Sequence, residues 1–482
     1  MEYEAIIGLE VHAQLLTRSK MFCGCSADYA IAPPNTHVCP VCLGMPGVLP
    51  VINREAVEKT VMTGLALHCQ INTFARFARK NYSYPDLMKG YQISQYEQPF
   101  CTDGWVEIEV DGKIRRIGIR RVHLEEDTAK LFHIGEYGLI DVNRAGVPLM
   151  EIVSHPDIRS AEEARLYLIK LQQILRYLGV CTGNMEEGAM RCEPNVSVRP
   201  AGSTAWGTKV EIKNLNSFRS VKLGLEYEIT RQIKLLEAGE SVQQVTMGWD
   251  ESRGVTFVQR SKEEAHDYRY FPEPDLPPII LDAEWVDRIR SRLVELPDHR
   301  RERFMQEYGL SAQDAGVLTA EREVADYYEA CVREYGDPKK VSNWVMGELF
   351  RLLKAEEKNI TDVKVSPKAL AELLRMVDQE TINLNTAKTV FEAMCQTGRR
   401  PQEIVQERGL AQISDDAALQ MVIAEVISQN PEPVKQFRGG KEQIFGFLLG
   451  QVMRATRGKA NPKLAGELLR RALQGGEHSS QA

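Results

Sequence analysis

The amino-acid sequence predicts an α+β fold, in which an N-terminal antiparallel-sheet domain with flanking helices precedes an all-α region. Three observations support this prediction. Segments in which apolar and polar residues alternate, as in half-buried strands, recur between residues 4 and 213. The proline-rich segment Asp267–Pro278 marks the exit from the sheet, because proline cannot continue a strand ladder. Beyond Asp282, apolar residues recur with the helical period between breaks at Gly, Pro and Asn.

The composition is that of a globular protein without a membrane span. Of its 482 residues, 43 % are hydrophobic and 26 % are charged, and no stretch approaches eighteen consecutive apolar residues. This length predicts two or three domains. The N-terminus lacks the features of a signal peptide, so we expect a cytoplasmic protein with reduced cysteines. The net charge of −7 argues against a protein coated in nucleic acid, although a local basic contact stays open.

The first predicted strand covers Glu4 to Leu15. Its odd-numbered positions from Ile7 to Ala13 are apolar, whereas Glu10 and His12 lie side by side on the other face. The polar face of this strand therefore carries a carboxylate next to an imidazole.

Two cysteine pairs follow the first strand. Cys23 and Cys25 are separated from Cys39 and Cys42 by a loop of thirteen residues. Two close pairs across a short loop supply four thiolates for a tetrahedral zinc site, whereas the alternative is four reduced, buried thiols. Four thiolates leave no position for water, so this zinc would be structural rather than catalytic.

The next elements are a helix, an aromatic loop and a hairpin. Arg54 to Leu67 has the pattern of an amphipathic helix. Arg79 to Tyr96 is basic and rich in tyrosine without either period, which indicates an ordered functional loop rather than a linker. Asp111-Gly112 predicts a type I′ turn between strands at Trp105–Val110 and Lys113–Ile119.

Acidic residues are concentrated between Arg120 and Glu151. If Ile117 to Ala129 is a strand, then His123, Glu125 and Asp127 share one face. Glu151 lies in an apolar run, where a carboxylate is costly unless a cation or hydrogen-bond donors meet it. This stretch therefore predicts a site for a metal or a substrate ammonium.

Two capped helices enclose two more strands. Ser160 begins a helix that reaches Leu178, with Glu163 at the capping-box position, and Ser217 begins one that ends near Gly239. Between them, two alternating strands carry on their polar faces Arg191, Glu193, Asn195, Ser197 and Arg199 in the first, and Lys209, Glu211 and Lys213 in the second.

The polar faces of four predicted strands thus combine carboxylates with imidazole, amide or basic groups. For any one strand a solvated sheet face is the simpler interpretation. Their repetition favours a divalent cation, and oxygen ligands with an added imidazole suit Mg²⁺ or Mn²⁺. The basic side chains Arg191, Lys209 and Lys213 suit a phosphate, although the sequence has no Gly-rich phosphate loop.

The last part of the chain is predicted to be helical. The predicted helices are Asp298–Tyr308, Glu321–Glu334, Lys339–Glu356, Pro367–Val377, Asn385–Thr397, Asp415–Gln429, Lys441–Arg457 and Pro462–Leu473. A second boundary is expected near Gly409. From Gly439 onward, 7 Lys and Arg face 3 acids, a net charge of +4 that suits either a nucleic-acid contact or a solvated helix face.

Many separate blocks, in order along essentially the whole chain, give it a close resemblance to a known family. The chain resembles the B-subunit family of the aspartyl/glutamyl-tRNA(Asn/Gln) amidotransferases in these blocks: Ile7–His12, Arg79–Asp86, Tyr91–Gln95, His123–Asp127, Asn143-Arg144, Glu151–Val153, Met185–Gly188, Arg191–Asn195, Glu211–Ser217 and Asp267–Asp275.

The resemblance implies a fold and an activity. It implies a sheet cradle over residues 1–282, a helical domain over 283–409 and a YqeY-like, tRNA-binding tail over 410–482. It further implies that ATP and Mg²⁺ are used to phosphorylate the side-chain carboxylate of mischarged Glu-tRNA(Gln) or Asp-tRNA(Asn). Ammonia, channelled from an amidase (glutaminase) subunit in a heterotrimer with a small third subunit, would then form the amide. The non-discriminating synthetase is a further candidate partner.

The resemblance also implies roles for individual residues. His12, Glu125 and Glu151 would be the principal Mg²⁺ ligands, with Glu10 and Glu211 as candidates for a second, transient metal. Candidates for the phosphates of ATP and the acyl-phosphate transition state are Arg191, Asn195, Lys213 and Asn214, with Asn143 as a further cofactor-binding residue. Arg79 or Lys80 would face phosphate or the acceptor end, and we favour Lys80. Cys23, Cys25, Cys39 and Cys42 would hold a structural zinc.

Two other function classes stay open at the level of sequence. The first is an adaptor that only positions the acceptor end of tRNA. The second is a free-standing zinc hydrolase. The sequence does not distinguish Glu-tRNA(Gln) from Asp-tRNA(Asn) as the substrate.

Overall fold

The computed structural model describes residues 2–261, 267–412, 416–456 and 459–474. The chain divides into two compact units, Met1–His299 and Arg300–Ala482. The first unit combines sheets with helices and the second is helical, so the predicted α+β class is confirmed. The three-domain division stays a prediction.

The first unit contains all sixteen strands found in the described part of the chain. They are β1 (Tyr3–Gln14), β2 (Gln70–Ile71), β3 (Phe74–Ala75), β4 (Ala78–Asn81), β5 (Tyr91–Ser94), β6 (Cys101–Val110), β7 (Lys113–Glu126), β8 (Lys130–Ile134), β9 (Tyr137–Asp141), β10 (Pro148–Ser154), β11 (Met190–Pro200), β12 (Val210–Lys213), β13 (Val245–Asp250), β14 (Val255–Ser261), β15 (Phe271–Pro272) and β16 (Ile279–Ile280). Its helices are α1 (Arg54–Ala66), α2 (Ala161–Tyr177), α3 (Phe218–Glu237) and α4 (Ala283–Arg290).

Nine strands form the main sheet, in the order β14-β13-β12-β11-β1-β10-β7-β6-β2. All neighbours are antiparallel except β12 and β13, which are parallel. The prediction of a purely antiparallel sheet is therefore corrected at this pair. The reason is α3, which crosses over between the two strands and returns the chain in the same direction.

The local signals at the predicted turns and caps are confirmed. Asp111 and Gly112 both have positive φ, as a type I′ turn between β6 and β7 requires. The Ser160 hydroxyl accepts a hydrogen bond from the Glu163 amide and starts α2, and Ser217 starts α3 in the same way.

One face of the main sheet is apolar and is covered by helices. Strand residues such as Leu9, Val122 and Ile152 are fully buried there with Tyr167 and Leu171 of α2. Because successive side chains alternate, the other face receives the polar residues of the same strands. The buried face thereby fixes which residues line the polar face.

The tyrosine-rich stretch departs from the prediction of a loop without regular structure. It contains β4 and β5, which pair with each other, and β15 pairs with β4 on the outer edge. Pro272 in β15 lies opposite Ala78, so the proline-rich segment does contribute a short edge strand. An edge position tolerates proline because its missing N–H faces away from the ladder.

The second unit is made of helices packed on two separate apolar clusters. Its helices are α5 (Pro297–Glu307, which begins before the boundary), α6 (Ala312–Leu318), α7 (Arg322–Tyr335), α8 (Pro338–Asn343), α9 (Phe350–Glu356), α10 (Pro367–Asp378), α11 (Leu384–Thr397), α12 (Pro401–Glu407), α13 (Asp416–Gln429), α14 (Pro431–Arg438), α15 (Ile444–Ala455) and α16 (Pro462–Gln474). None of the described helices could cross a membrane. Asp415 and Arg457, the predicted ends of two helices, lie outside the described residues.

The predicted single helix Lys339–Glu356 is interrupted. A π-helical turn, Trp344–Leu349, joins α8 to α9. Helices α6, α12 and α14 were not predicted, because they are too short for their periods to stand out.

We expect Arg79 to hold the tyrosine-rich stretch to the segment that contains β15. Its guanidinium donates to both carboxylate oxygens of Glu273, at 2.7 and 2.9 Å, and Glu273 is buried. Arg79→Leu would leave a buried carboxylate without its cation and should destabilise the protein by about 3 kcal/mol. Scanning calorimetry should show a lower unfolding temperature for Arg79→Leu than for the control Arg76→Leu. If the double variant Arg79→Leu, Glu273→Leu were no more stable than Arg79→Leu alone, the pairing would not be the cause.

Candidate functional site

The polar side chains of four adjacent strands meet in one row of the main sheet. His12 of β1 lies opposite Glu151 of β10 on one side and Arg191 of β11 on the other. Glu151 in turn lies opposite His123 of β7. Glu125, two residues beyond His123, shares their face. The strand pairing thus gathers residues that are far apart in the sequence.

Three of these side chains converge on a common point. His12 Nε2 lies 3.5 Å from a Glu125 oxygen and 3.7 Å from a Glu151 oxygen. All three candidate ligand atoms lie within 4.8 Å of one another. Two ligands about 2.1 Å from a single Mg²⁺ are about 3.0 to 4.2 Å apart, so this donor set fits such an ion.

The two carboxylates are almost fully buried, at 2 % exposure for Glu125 and 7 % for Glu151. Burial opposes ionisation of Glu151, but His123, His12 and Lys80 outweigh it and lower its pKa well below the ordinary value. His123 Nε2 approaches a Glu151 oxygen at 3.1 Å. The site therefore holds Glu151 in its charged form.

Arg79 and Lys80 are adjacent on β4 and point to opposite sides. Arg79 is paired with Glu273 and lies over the Tyr91 ring. Lys80 is within electrostatic range of Glu125 and Glu151, and those carboxylates raise its pKa although burial acts in the opposite direction. Tyr82 and Tyr268 surround its ammonium, with ring centroids 5.8 and 5.0 Å from Nζ. The alternation of side chains along β4 thus puts Lys80, but not Arg79, on the side of the carboxylates, a difference that the sequence did not reveal.

Arg191 has a carboxylate partner within the chain. Its guanidinium donates to Asp127 Oδ2 at 2.7 Å, and Gln14 donates to the same oxygen. Asp127 is buried, and Arg144 Nε lies 3.8 Å from it. Burial opposes ionisation of Asp127, but Arg191 and Arg144 prevail and lower its pKa. The Nε atom of Arg191 is buried and has no hydrogen-bond partner.

The remaining predicted residues of β1, β11 and β12 extend the polar face beside His12. The Asn195 amide donates to Glu10 at 3.1 Å, and Glu211 accepts from Thr246 at 2.9 Å. Burial, followed by Glu151 and Glu193, raises the pKa of Glu10. Lys213 Nζ lies 3.0 Å from Glu193 and 3.5 Å from Glu211. Asn214 is exposed and has a left-handed backbone at the end of β12.

Asn143 contacts the cysteine-bearing loop, and its role in cofactor binding stays a prediction. It is fully buried, and its amide accepts from the His37 N–H and donates to the Pro33 carbonyl. Both ends of the amide are therefore used to fix the cysteine-bearing loop.

The four clustered cysteines come together as predicted. Cys42 Sγ lies 3.5 Å from Cys23, 3.7 Å from Cys39 and 3.8 Å from Cys25. All four are free thiols. Sulfurs about 2.3 Å from one tetrahedral Zn²⁺ would be about 3.8 Å apart, so the donor set fits zinc.

The charge near the cysteines favours a thiolate. The hydrogen bond from Cys23 lowers the pKa of Cys42, with help from Lys20 and despite burial, whereas the same contact raises the pKa of Cys23. The Lys20 ammonium is completely buried and donates to the His37 carbonyl at 2.8 Å. It also contacts Cys42 Sγ at 3.5 Å.

Sequence reasoning missed two residues of β5 and its extension that hold the site. Ser94 donates to a Glu125 oxygen at 3.2 Å, and Gln95 accepts from the Leu124 amide at 3.1 Å. Both belong to the block Tyr91–Gln95 that carries the resemblance, which was their only signal. Strand alternation also made His123 a candidate metal ligand. Its Nε2 contacts Glu151, but His123 does not belong to the group formed by His12, Glu125 and Glu151.

Comparisons with known proteins agree over nearly the whole chain. The model of the GatB/GatE catalytic domain matches residues 5–287, and the model of the GatB domain matches residues 326–473. The chain is 58 % identical to the B subunit of the aspartyl/glutamyl-tRNA(Asn/Gln) amidotransferase of Thermodesulfovibrio yellowstonii, over 98 % of this chain and 100 % of that protein. For the proteins of the same name from Thermomicrobium roseum and Moorella thermoacetica, the identities are 58 % and 57 %. The first alignment covers 98 % of this chain and 99 % of the Thermomicrobium roseum protein. The second covers 98 % of this chain and 100 % of the Moorella thermoacetica protein.

A catalytic-domain match over more than half of the chain, together with relatives this similar, shows that the chain belongs to the GatB/GatE family, the family of the B subunits of the tRNA amidotransferases.

Proposed function

We propose that this chain is the subunit that converts mischarged Glu-tRNA(Gln), Asp-tRNA(Asn) or both into the amide. In this reaction an oxygen of the side-chain carboxylate attacks the γ-phosphorus of ATP and ADP leaves. Ammonia then attacks the activated carbonyl carbon, and phosphate leaves with the C–O bonding electrons. The relatives' printed name supports the substrate class and the amide product.

The observation that carries the proposal is the convergence of His12, Glu125 and Glu151 beside Lys80. Buried carboxylates at this separation repel each other unless a cation lies between them. Mg²⁺ bound there would supply positive charge to phosphoryl oxygens. Lys80 adds a fixed ammonium next to the same point, which suits the charge that develops during phosphoryl transfer.

The neighbouring strands would hold the rest of the nucleotide and a second ion. Lys213, Asn195 and Asn214 lie along β11 and β12 and offer donors to phosphate. Glu10 and Glu211 are the candidates for a second, transient metal. The raised pKa of Glu10, caused by burial and by Glu151 and Glu193, supports this, because a nearby cation would favour its charged form.

We assign Arg191 a supporting role. Its bond to Asp127 fixes the end of β7, from which Glu125 projects. Its side chain is 37 % exposed, so the guanidinium stays a candidate for the phosphates of ATP.

The four cysteines would hold a structural zinc away from the reacting atoms. Their sulfur separations and the low pKa of Cys42 suit the metal. Because four thiolates leave no open position, zinc would not activate water there. This argues against the zinc hydrolase.

The proposal implies partners that this chain does not replace. An amidase (glutaminase) subunit would supply ammonia, a small third subunit would complete a heterotrimer in the cytoplasm, and the non-discriminating synthetase is a further candidate. The basic tail would contact the tRNA. A separate apolar cluster built only from residues between Leu419 and Leu473 supports a distinct tail domain over 410–482.

Replacing Glu125 by Gln tests whether the chain catalyses or only positions tRNA. The change removes a metal ligand while keeping the size of the side chain, so ATP-dependent amide formation should fall by about a hundredfold or more. Amide formation would be measured on both mischarged tRNAs, with the partner subunits or with free ammonia, and tRNA affinity by filter binding. The exposed variant Glu136→Gln is the control. Retained amide formation at normal tRNA affinity would favour the adaptor.

Replacing Cys39 by Ser tests the zinc site. The bound zinc measured by elemental analysis should fall from about one per chain to near zero, because a serine hydroxyl is a poor zinc ligand. Mg²⁺-dependent amide formation should survive with less than about a tenfold loss of turnover. Cys395→Ser, which changes a cysteine far along the chain, should keep its zinc. Full zinc in Cys39→Ser would contradict the assignment.

Deleting the residues after Gly409 tests the tail. The Michaelis constant for mischarged tRNA should rise by more than turnover falls, because a docking contact is lost while the site of chemistry is kept. Steady-state kinetics with varied tRNA and saturating ATP would measure both constants. A large loss of turnover at an unchanged Michaelis constant is the result that rules out docking.

A further inference from the structure

A lysine beside the four cysteines is buried without a carboxylate partner. The Lys20 side chain is completely buried, and in the described part of the chain no ion pair joins its ammonium to an acid. The nearby Glu126 carboxylate is bound to Lys89 at 2.5 Å. Lysine is almost never fully buried unless its charge is paired, so this ammonium needs a counter-charge of another kind.

The three N–H groups of this ammonium have three acceptors. Lys20 Nζ lies 2.8 Å from the His37 carbonyl oxygen, 3.3 Å from the Val142 carbonyl oxygen and 3.5 Å from Cys42 Sγ. The two carbonyls are neutral, so the sulfur is the acceptor that can carry a charge. It carries one as a thiolate, which is the form of cysteine that binds a metal.

A zinc ion on the four cysteines would create the missing counter-charge. Cys42 Sγ lies within 3.8 Å of the other three sulfurs, so Lys20 contacts the centre of the group rather than its edge. Four thiolates around one Zn²⁺ carry two net negative charges. Four neutral thiols would instead leave a buried ammonium with only dipoles around it. The burial of Lys20 therefore supports the four-thiolate centre over the alternative of four reduced thiols.

We propose that Lys20 is the buried counter-charge of the zinc centre and donates an N–H···S hydrogen bond to the Cys42 thiolate. This inference rests on the zinc site of the proposed function. Lys20 is a positioning residue, because it contacts a metal ligand and not the reacting atoms. Groups that hydrogen-bond to a metal ligand typically contribute about ten- to a hundredfold to metal affinity.

Lys20 also links the zinc centre to the connection between Glu125 and Glu151. Val142, whose carbonyl accepts from Lys20, lies in that connection between β9 and β10. The backbone N–H of Lys20 donates to the Cys25 carbonyl at 2.9 Å, so the main chain and the side chain of this residue both contact the cysteine-bearing loop. Zinc binding should therefore stabilise the connection, and this stabilisation should depend on the charge of Lys20.

Lys20→Met in the assembled amidotransferase tests the proposal, because methionine keeps an unbranched apolar side chain and removes the ammonium. Zinc affinity, measured by competition with a chelating dye, should fall by about ten- to a hundredfold. The rise in unfolding temperature that zinc causes should shrink in parallel. Lys130→Met is the matched control, because Lys130 is exposed on the hairpin of β8 and β9 and should keep the parent affinity.

Cobalt spectroscopy separates a direct bond to sulfur from a general loosening of the fold. With Co²⁺ in place of zinc, the sulfur-to-metal charge-transfer band reports the energy of the sulfur lone pairs. A hydrogen bond to the thiolate lowers that energy, so the band should move to longer wavelength in Lys20→Met and stay in place in Lys130→Met. Weaker zinc affinity with an unmoved band overturns the proposal, because Lys20 would then act only through packing.

Lys20→Gln is a second variant, which keeps amide donors for the two carbonyls and removes the charge. It keeps the proposal testable if Lys20→Met does not fold. Its zinc affinity should also fall severalfold, while its far-UV circular dichroism spectrum stays that of the parent. Parent-like zinc affinity in Lys20→Gln and Lys20→Met overturns the proposal. A parent enzyme that binds neither zinc nor Co²⁺ is a different result, because it contradicts the zinc site of the proposed function itself.

Discussion

The concentration of buried negative charge at the end of β7 is the constraint on which the site depends. Three consecutive acids, Glu125, Glu126 and Asp127, are each less than 5 % exposed. Burial of a charge is tolerated only with a partner, and each of the three has a different one. Glu126 meets Lys89, Asp127 meets Arg191, and Glu125 faces His12 and Lys80. Of the three, Glu125 lies in the group with Glu151 that suits a divalent ion.

This constraint ties the activity to the register of the sheet. His12, Glu151 and His123 lie in one row because β1, β10 and β7 pair in that register. A slip of one residue would send the whole polar set into the helix-covered core and the apolar set into water. The packing of the buried residues against α2 therefore positions the ligands as well as stabilising the unit. The register of the strands therefore determines both the buried core of the sheet and the positions of the candidate ligands.

Local patterns in the sequence predicted which residues share a face of each strand. They did not predict which residues near the strand ends belong to the site. Alternation placed Glu10 with His12 and His123 with Glu125. It could not separate Glu125 from Asp127, because β7 ends at Glu126 and alternation ceases to apply. The strands β4 and β15 were missed because each is short, and the pairing of β15 with β4 joins residues about 190 positions apart. Lys80 became distinct from Arg79 only once that pairing put Glu273 on one side of β4.

The cysteine-bearing loop is hydrogen-bonded to the segment that connects β7 with β10. The segment between Glu125 and Glu151 leaves β7, forms the hairpin of β8 and β9, and returns to β10. Lys20 donates to the Val142 carbonyl, and the Met21 amide donates to the Gly146 carbonyl at 2.6 Å. The side chain of Asn143 fastens the same segment to the loop. A zinc ion on the four sulfurs would therefore brace the connection that sets the separation of the two carboxylates. It would support the chemistry by geometry, without contact with the reacting atoms.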